Sequence, residues 1–189
     1  MKKFILGVAL VLGAVVFSNV NAQIQKGNWM VGGQVADMKF TNGLNINLYP
    51  QAGYFVADNF AVGGLVGLKI LKAGGSSDTQ VDWKLGAFGR YYVGKDYVNL
   101  LKNGRFFAEG SFGFGGDNAS AGGTTNGVDL GVAAGYAYFI TRNVSLDAAL
   151  KFNALVGGGN TSGKGNLGFV IGFQIFLPTS KVKAALNDN

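Results

Sequence analysis

The residues able to do chemistry in this sequence are few and set singly. Lys69, Asp82, Lys84, Arg90, Arg105, Glu109, Asp129, Asp147 and Lys151 each stand among apolar or small neighbours. The chain contains no His and no Cys. A Ser-His-Asp arrangement and a His-ligated metal are therefore closed. Carboxylate-only catalysis would need two acids facing one cleft, in environments that drive their pKa values apart. Asp82, Glu109, Asp129 and Asp147 read instead as partners for the Lys and Arg residues. The sequence predicts no enzyme, no catalytic residue, no cofactor and no metal.

Three short patterns come near to a site and stop. Gly158-Gly159-Asn160-Thr161-Ser162-Gly163-Lys164 nearly spells a phosphate-binding loop. Gly165 then stands where Ser or Thr would hold Mg²⁺, and no helix opens there. Asn118-Ala119-Ser120 and Asn160-Thr161-Ser162 match glycosylation sequons, a pattern short enough to arise by chance. Asp117 and Asn118 give one carboxylate in a Gly-rich stretch, too low a ligand density for a cation site. All three are expected to be surface loop.

The nine charges need a scaffold, and Gly135–Phe152 displays it: GYAYFITRNVSLDAALKF. Ala134, Tyr136 and Tyr138 share one face, and Gly135, Ala137 and Phe139 share the other. After Thr141-Arg142-Asn143, Val144, Leu146, Ala148, Leu150 and Phe152 line up against Ser145, Asp147, Ala149, Lys151 and Asn153. Period-2 alternation on both sides of a polar turn predicts an antiparallel hairpin. Eight such segments can be marked: Asn28–Phe40, Leu44–Val56, Phe60–Leu71, Val81–Val93, Arg105–Gly115, Val128–Phe139, Val144–Leu155 and Asn166–Leu177. Each is near the ~9–11 residues a tilted strand needs to cross a bilayer. The links are Thr41–Gly43, Ala57–Asn59, Lys72–Thr79, Gly94–Gly104, Gly116–Asn126, Thr141–Asn143 and Gly157–Lys164. In the first segment a bulge near Ala36 is needed to keep Asp37 and Lys39 off the apolar face. Pro50, lacking an N–H, is out of place in the middle of the second. From the second segment onward the apolar face carries no charge, and all nine charges fall on the other.

Residues 1–22 have the form of a cleaved signal peptide. Lys2 and Lys3 precede the apolar run Ile5–Phe17 of 13 residues, shorter than the ~20 of a spanning helix. Val20-Asn21-Ala22 supplies small residues at the −3 and −1 sites, which places cleavage before Gln23. Removing Lys2 and Lys3 takes the formal net charge from +6 to +4. The charges form no basic cluster, so nucleic acid is not implied. The 32 Gly against 2 Pro suit curved strands and turns and argue against a disordered linker. The predicted domains are the leader at 1–22, a barrel at 23–177 and a polar tail at 178–189.

A soluble barrel and a membrane barrel both have one apolar and one polar face, and the aromatic positions separate them. Trp29, Tyr54, Phe60, Tyr91, Phe106 and Tyr138 fall at one end of their segments, all on the apolar face. Trp83 and Phe114 fall toward the other end. Two such rings are expected where a barrel meets the two lipid–water interfaces. The expected fold is all-β: an eight-stranded antiparallel up-and-down transmembrane β-barrel with its charges in the lumen. Eight strands leave an interior just filled by side chains. Hairpin register pairs Lys69 with Asp82, and Arg90 with Glu109, with Lys151 near the same level. Together with Lys84, Arg105, Asp129 and Asp147 these residues form a candidate structural lumen network.

Two stretches carry a family resemblance. Gln25–Gln34, QKGNWMVGGQ, and Pro50–Gly64, PQAGYFVADNFAVGG, resemble the small eight-stranded outer-membrane β-barrel proteins, in particular those of Bacteroidota. GYFVADNFAV, RYYVGKDYV and AYFITRNVSL echo one another as hairpin turns on one side. The resemblance covers the mature chain and implies a Gram-negative outer membrane, with insertion by the barrel-assembly machinery. The chain departs from the commoner proteobacterial pattern, because the last aromatic, Phe176, is followed by a tail. The expected role is structural or surface interaction by a monomer in the lipid bilayer. A narrow, porin-like channel or carrier for small or apolar solutes, and a secreted soluble ligand-binding barrel, stand as alternatives.

Overall fold

The computed structural model describes residues 24–39, 43–73, 79–93, 104–119, 123–157 and 165–180. The leader, the loop Gly158–Lys164 and most of the tail fall outside them. The strands are β1 (Trp29–Lys39), β2 (Gly43–Ala57), β3 (Phe60–Ala73), β4 (Thr79–Tyr92), β5 (Gly104–Ala119), β6 (Gly123–Thr141), β7 (Val144–Val156) and β8 (Gly165–Leu177). Each pairs antiparallel with the next, and β8 returns to β1, so the barrel is closed. Closure pairs the backbone all round and leaves no strand edge, the condition lipid imposes on a sheet. No helix among the described residues is long and apolar enough to cross a membrane.

The strands form where apolar and small residues alternate, and the turns form where that pattern breaks. Asp58-Asn59 and Arg142-Asn143 close two hairpins in two residues each. Asn59 takes φ 64°, a left-handed conformation Asn tolerates better than most residues. The second turn is tied to the last strand: Phe176 N–H donates to Asn143 O at 2.8 Å, and Asn143 Nδ2 donates to Phe176 O at 3.1 Å. The β1–β2 register shifts between Ala36 and Lys39, as the sequence required. Pro50 stays in the body of β2, opposite Gly33. On its other side the ladder skips from Leu48↔Leu68 to Gln51↔Leu65, so the missing donor interrupts pairing locally and leaves the register intact.

The structure lengthens most of the expected strands, β5 and β6 above all. The expected loop Gly116–Asn126 is strand as far as Ala119 and again from Gly123. β3 and β4 likewise reach Ala73 and Thr79. Alternation fades in these stretches, but ladder hydrogen bonds need only backbone, and Gly, Ser, Thr and Asn supply it. The tail begins with a helical turn at Thr179–Ser180.

The faces are inverted relative to a soluble protein. Outward Leu85, Val132, Leu150 and Leu167 are exposed, Leu167 by 67%. Inward Arg90, Glu109, Asp147 and Lys151 are buried, Arg90 completely. Water on the outside would penalise both sets at once, whereas a hydrocarbon surround accounts for both. Inward glycines make the room. A Cβ at Gly53 would come within 2.9 Å of the Phe88 ring, and one at Gly67 within 2.9 Å of Lys84 and 3.2 Å of the Tyr49 ring.

Candidate functional site

The lumen has two halves. One lies toward the end that holds both Trp29 and Leu177, called here the terminus side. The other lies toward the opposite, loop side. Arg90 on β4 organises the terminus half. Its Nε donates to Glu109 Oε2 at 2.8 Å, and Glu109 on β5 is its register partner. Its Nη1 donates to Asp147 Oδ2 at 2.6 Å across the lumen on β7, and to the Tyr92 hydroxyl at 3.2 Å. Ser145 Oγ donates to the other Asp147 oxygen at 2.7 Å. The Phe107 ring lies 4.2 Å from the guanidinium carbon. A buried Arg between two hydrogen-bonded carboxylates and an aromatic face meets the conditions that make a buried charge tolerable.

Beyond Arg90 the section is filled by hydrocarbon. Phe55, Tyr92, Phe107, Phe139 and Phe176 stack with ring centroids 5.4–6.2 Å apart. The Tyr92 hydroxyl lies 3.2 Å from Met30 Sδ. Below this layer Ile24 is buried, and Asn59 N–H donates to its carbonyl at 2.8 Å. The chain segment before β1 thus packs across the terminus end.

The loop half is wetter and looser. Lys84 on β4 pairs with Asp129 on β6, reaching over β5, where Gly113 and Gly115 present no side chain. Lys151 on β7 lies 3.5 Å from Glu109 and donates to Gln34 Oε1 at 3.2 Å. It passes over Ala133 and Gly168 on the strands between. Lys69 and Asp82 are register partners at 3.4 Å. Between these groups lies a cavity of about 220 Å³, lined by Lys69, Lys84, Lys151, Asp129, Asn47 and Asn153 among others. Ser111 Oγ and Asn153 Oδ1 here, and Gln51 and Gln174 nearer the terminus side, have buried polar atoms with no hydrogen-bond partner among the described residues. Groups of this kind are ordinarily satisfied by ordered water or a ligand.

The structure thus brings eight of the nine sequence-derived lumen residues into contacting pairs and clusters. The ninth, Arg105, sits at the start of β5, buried, with Nη1 donating to the Gly104 carbonyl at 2.7 Å, apart from the contacts Arg90 gathers. On the outer face Trp29, Phe60, Tyr91, Phe106 and Tyr138 are exposed on the terminus side, and Tyr54 stacks edge-on against Trp29 at 5.2 Å. Trp83 and Phe114 are exposed toward the loop side. Tyr136 is a further member of the first ring: it stands opposite Phe106 at 5.2 Å, and its ring occupies the space over side-chain-less Gly104.

Sequence reasoning missed the Arg90–Asp147 contact, the Lys84–Asp129 pair and the inward aromatic layer. A signal existed for each. Asp147 is inward four positions past the Arg142-Asn143 turn, Lys84 and Asp129 flank an inward glycine row, and Phe55, Tyr92, Phe139 and Phe176 share inward parity at one end of their strands.

No family model matches the sequence, and no curated protein matches it. Several solved structures are similar in fold. The N-terminal β-barrel domain of Pseudomonas aeruginosa OprF aligns with a TM-score of 0.54 at 15% identity, covering 80% of this chain and 98% of that one. Neisserial surface protein A gives 0.49 at 19% identity, covering 78% and 94%. Yersinia pestis Ail, an outer membrane protein studied in a phospholipid nanodisc, gives 0.47 at 14%, covering 79% and 100%. At 0.54 the first of these shows that the chain shares the fold of the OprF N-terminal β-barrel domain.

Proposed function

We propose that the chain is a monomeric outer-membrane barrel with a structural or surface-interaction role and a lumen plugged by its own side chains. The observation that supports this reading is an outward apolar belt, rimmed by aromatics, beside buried ion pairs around Arg90 and a layer of stacked inward rings. The leader at 1–22 is removed on export, the barrel-assembly machinery inserts the mature chain, and both termini face the periplasm. The short turns at Asp58-Asn59 and Arg142-Asn143 lie on that side, which agrees with the short periplasmic turns of such barrels. Links on the outer side are also short: β1 ends at Lys39 and β2 starts at Gly43, and β5 ends at Ala119 and β6 starts at Gly123. Loops of that length give little area for a large specific partner, which favours a wall over a receptor. The test is planar-bilayer conductance of the purified protein. A plugged lumen gives no steady openings, and sustained single-channel current would replace this reading with the channel alternative.

A further inference from the structure

We propose that the loop-side vestibule is a binding site for one small oxyanion of phosphate size. The inference rests on the plugged reading in one respect: the cavity ends blindly against the Arg90 level, so its occupant enters and leaves by the same mouth. Three ammonium groups, Lys69, Lys84 and Lys151, line it, and Asp129 is the one carboxylate lining it among the described residues. The bridges of two of these lysines are long, 3.4 Å for Lys69 to Asp82 and 3.5 Å for Lys151 to Glu109. The Arg90 bridges are 2.6 and 2.7 Å. An ammonium has three donors, so each of these lysines can turn a further N–H to the cavity. Asp82, the partner of Lys69, is not among the described residues that line the space. The Asn47 and Asn153 amides complete a wall of polar side chains. Ser111 Oγ, close to Asn153 over the bare Gly131, has no partner there, so its hydroxyl has a donor to offer. Convergent cations and amides in a part-enclosed cavity favour an oxygen anion.

The probe is inorganic phosphate, titrated against the folded protein in detergent at constant ionic strength with chloride as control, and read by calorimetry. Saturable one-to-one binding with a Kd of about 1 mM or tighter is expected. Lys69→Met should weaken it about tenfold, and Asp129→Asn, which frees Lys84, should tighten it. Neither change touches the Arg90 cluster, and retained heat-modifiable electrophoretic mobility checks the fold of each variant. Glycerol phosphate in parallel separates the sources: tighter binding of the monoester points to a lipid headgroup, and tighter binding of phosphate to the free ion. Either result supports the site. Uptake that does not saturate, or an affinity that neither variant changes, would overturn it. Conductance on the same samples keeps the two proposals apart. Steady currents with saturable binding would remove the plug and keep the site. A silent protein that binds no phosphate would remove the site and keep the plug.

Discussion

The two halves of this lumen hold similar charges in different ways. On the terminus side Arg90 is fully buried, bridged at 2.6 and 2.7 Å, and backed by five stacked rings. On the loop side Lys69 and Lys151 hold their carboxylates at 3.4 and 3.5 Å beside a cavity of about 220 Å³. The residue types explain the split. Phe, Tyr and Met fill space and expel water, so a charge beside them must be fully paired. Asn, Gln, Gly and Lys leave space that water can enter, so pairing there can be slack. The ring-packed end of the barrel is called here the floor, and the end that holds the cavity the cup.

The largest expected effect tests the floor. Arg90→Ala takes the cation from buried Asp147 and leaves Glu109 only the longer bridge to Lys151, and should cost ~3–5 kcal/mol of folding stability. The urea midpoint of the protein in detergent micelles reads this loss. Adding Glu109→Gln and Asp147→Asn to the same chain should recover part of it, because neutral side chains no longer need a counter-charge. If Arg90→Ala cost no more than a vestibule substitution, the distinction between floor and cup would fail.

The next effect tests which face is outside. Leu150 is outward and exposed at the middle of β7, whereas Asn153 lines the vestibule. Leu150→Arg should cost ~2–4 kcal/mol if it meets hydrocarbon near the midplane. Asn153→Arg enters a cavity lined by polar side chains, and should cost less. The same urea titration compares them, and the reverse order would turn the barrel inside out.

The barrel was legible in the sequence because alternation is a local signal that eight strands repeat. The parity of Leu146 against Asp147, or Trp83 against Lys84, needs no tertiary knowledge. Pairs across one hairpin were also legible, since Lys69 and Asp82 can be matched by counting outward from the link between their strands. What could not be counted were contacts that skip a strand or cross the lumen. Lys84 reaches Asp129 because β5 offers only glycine at that level, and Arg90 reaches Asp147 because the barrel curves β7 to face β4. Curvature and closure set those distances, and neither is written in any one segment. The aromatic floor was hidden for a related reason. Phe55, Tyr92, Phe139 and Phe176 lie far apart in the chain and meet only when the ring of strands closes. The strand ends were misjudged at Gly116–Asn126 because hydrophobic patterning stops before backbone pairing does.

The smallest expected effect is the one that most sharpens the contrast between floor and cup. Lys69 has a side chain 41% exposed and a single long bridge to Asp82, itself 18% exposed. Screening by water at the mouth leaves such a pair worth ~0–1 kcal/mol. Lys69→Met should therefore shift the urea midpoint little, and raising salt should leave even less of the difference. The Arg90 pairs, shielded by rings on one side and strands on all others, should keep their full effect at the same salt. Comparing Lys69→Met and Arg90→Ala in low and high salt thus gives a ratio that rises with ionic strength if the cup is wet and the floor dry. A ratio that stays constant would mean that both bridges sit in the same dielectric, and that the vestibule is as closed as the floor beneath it.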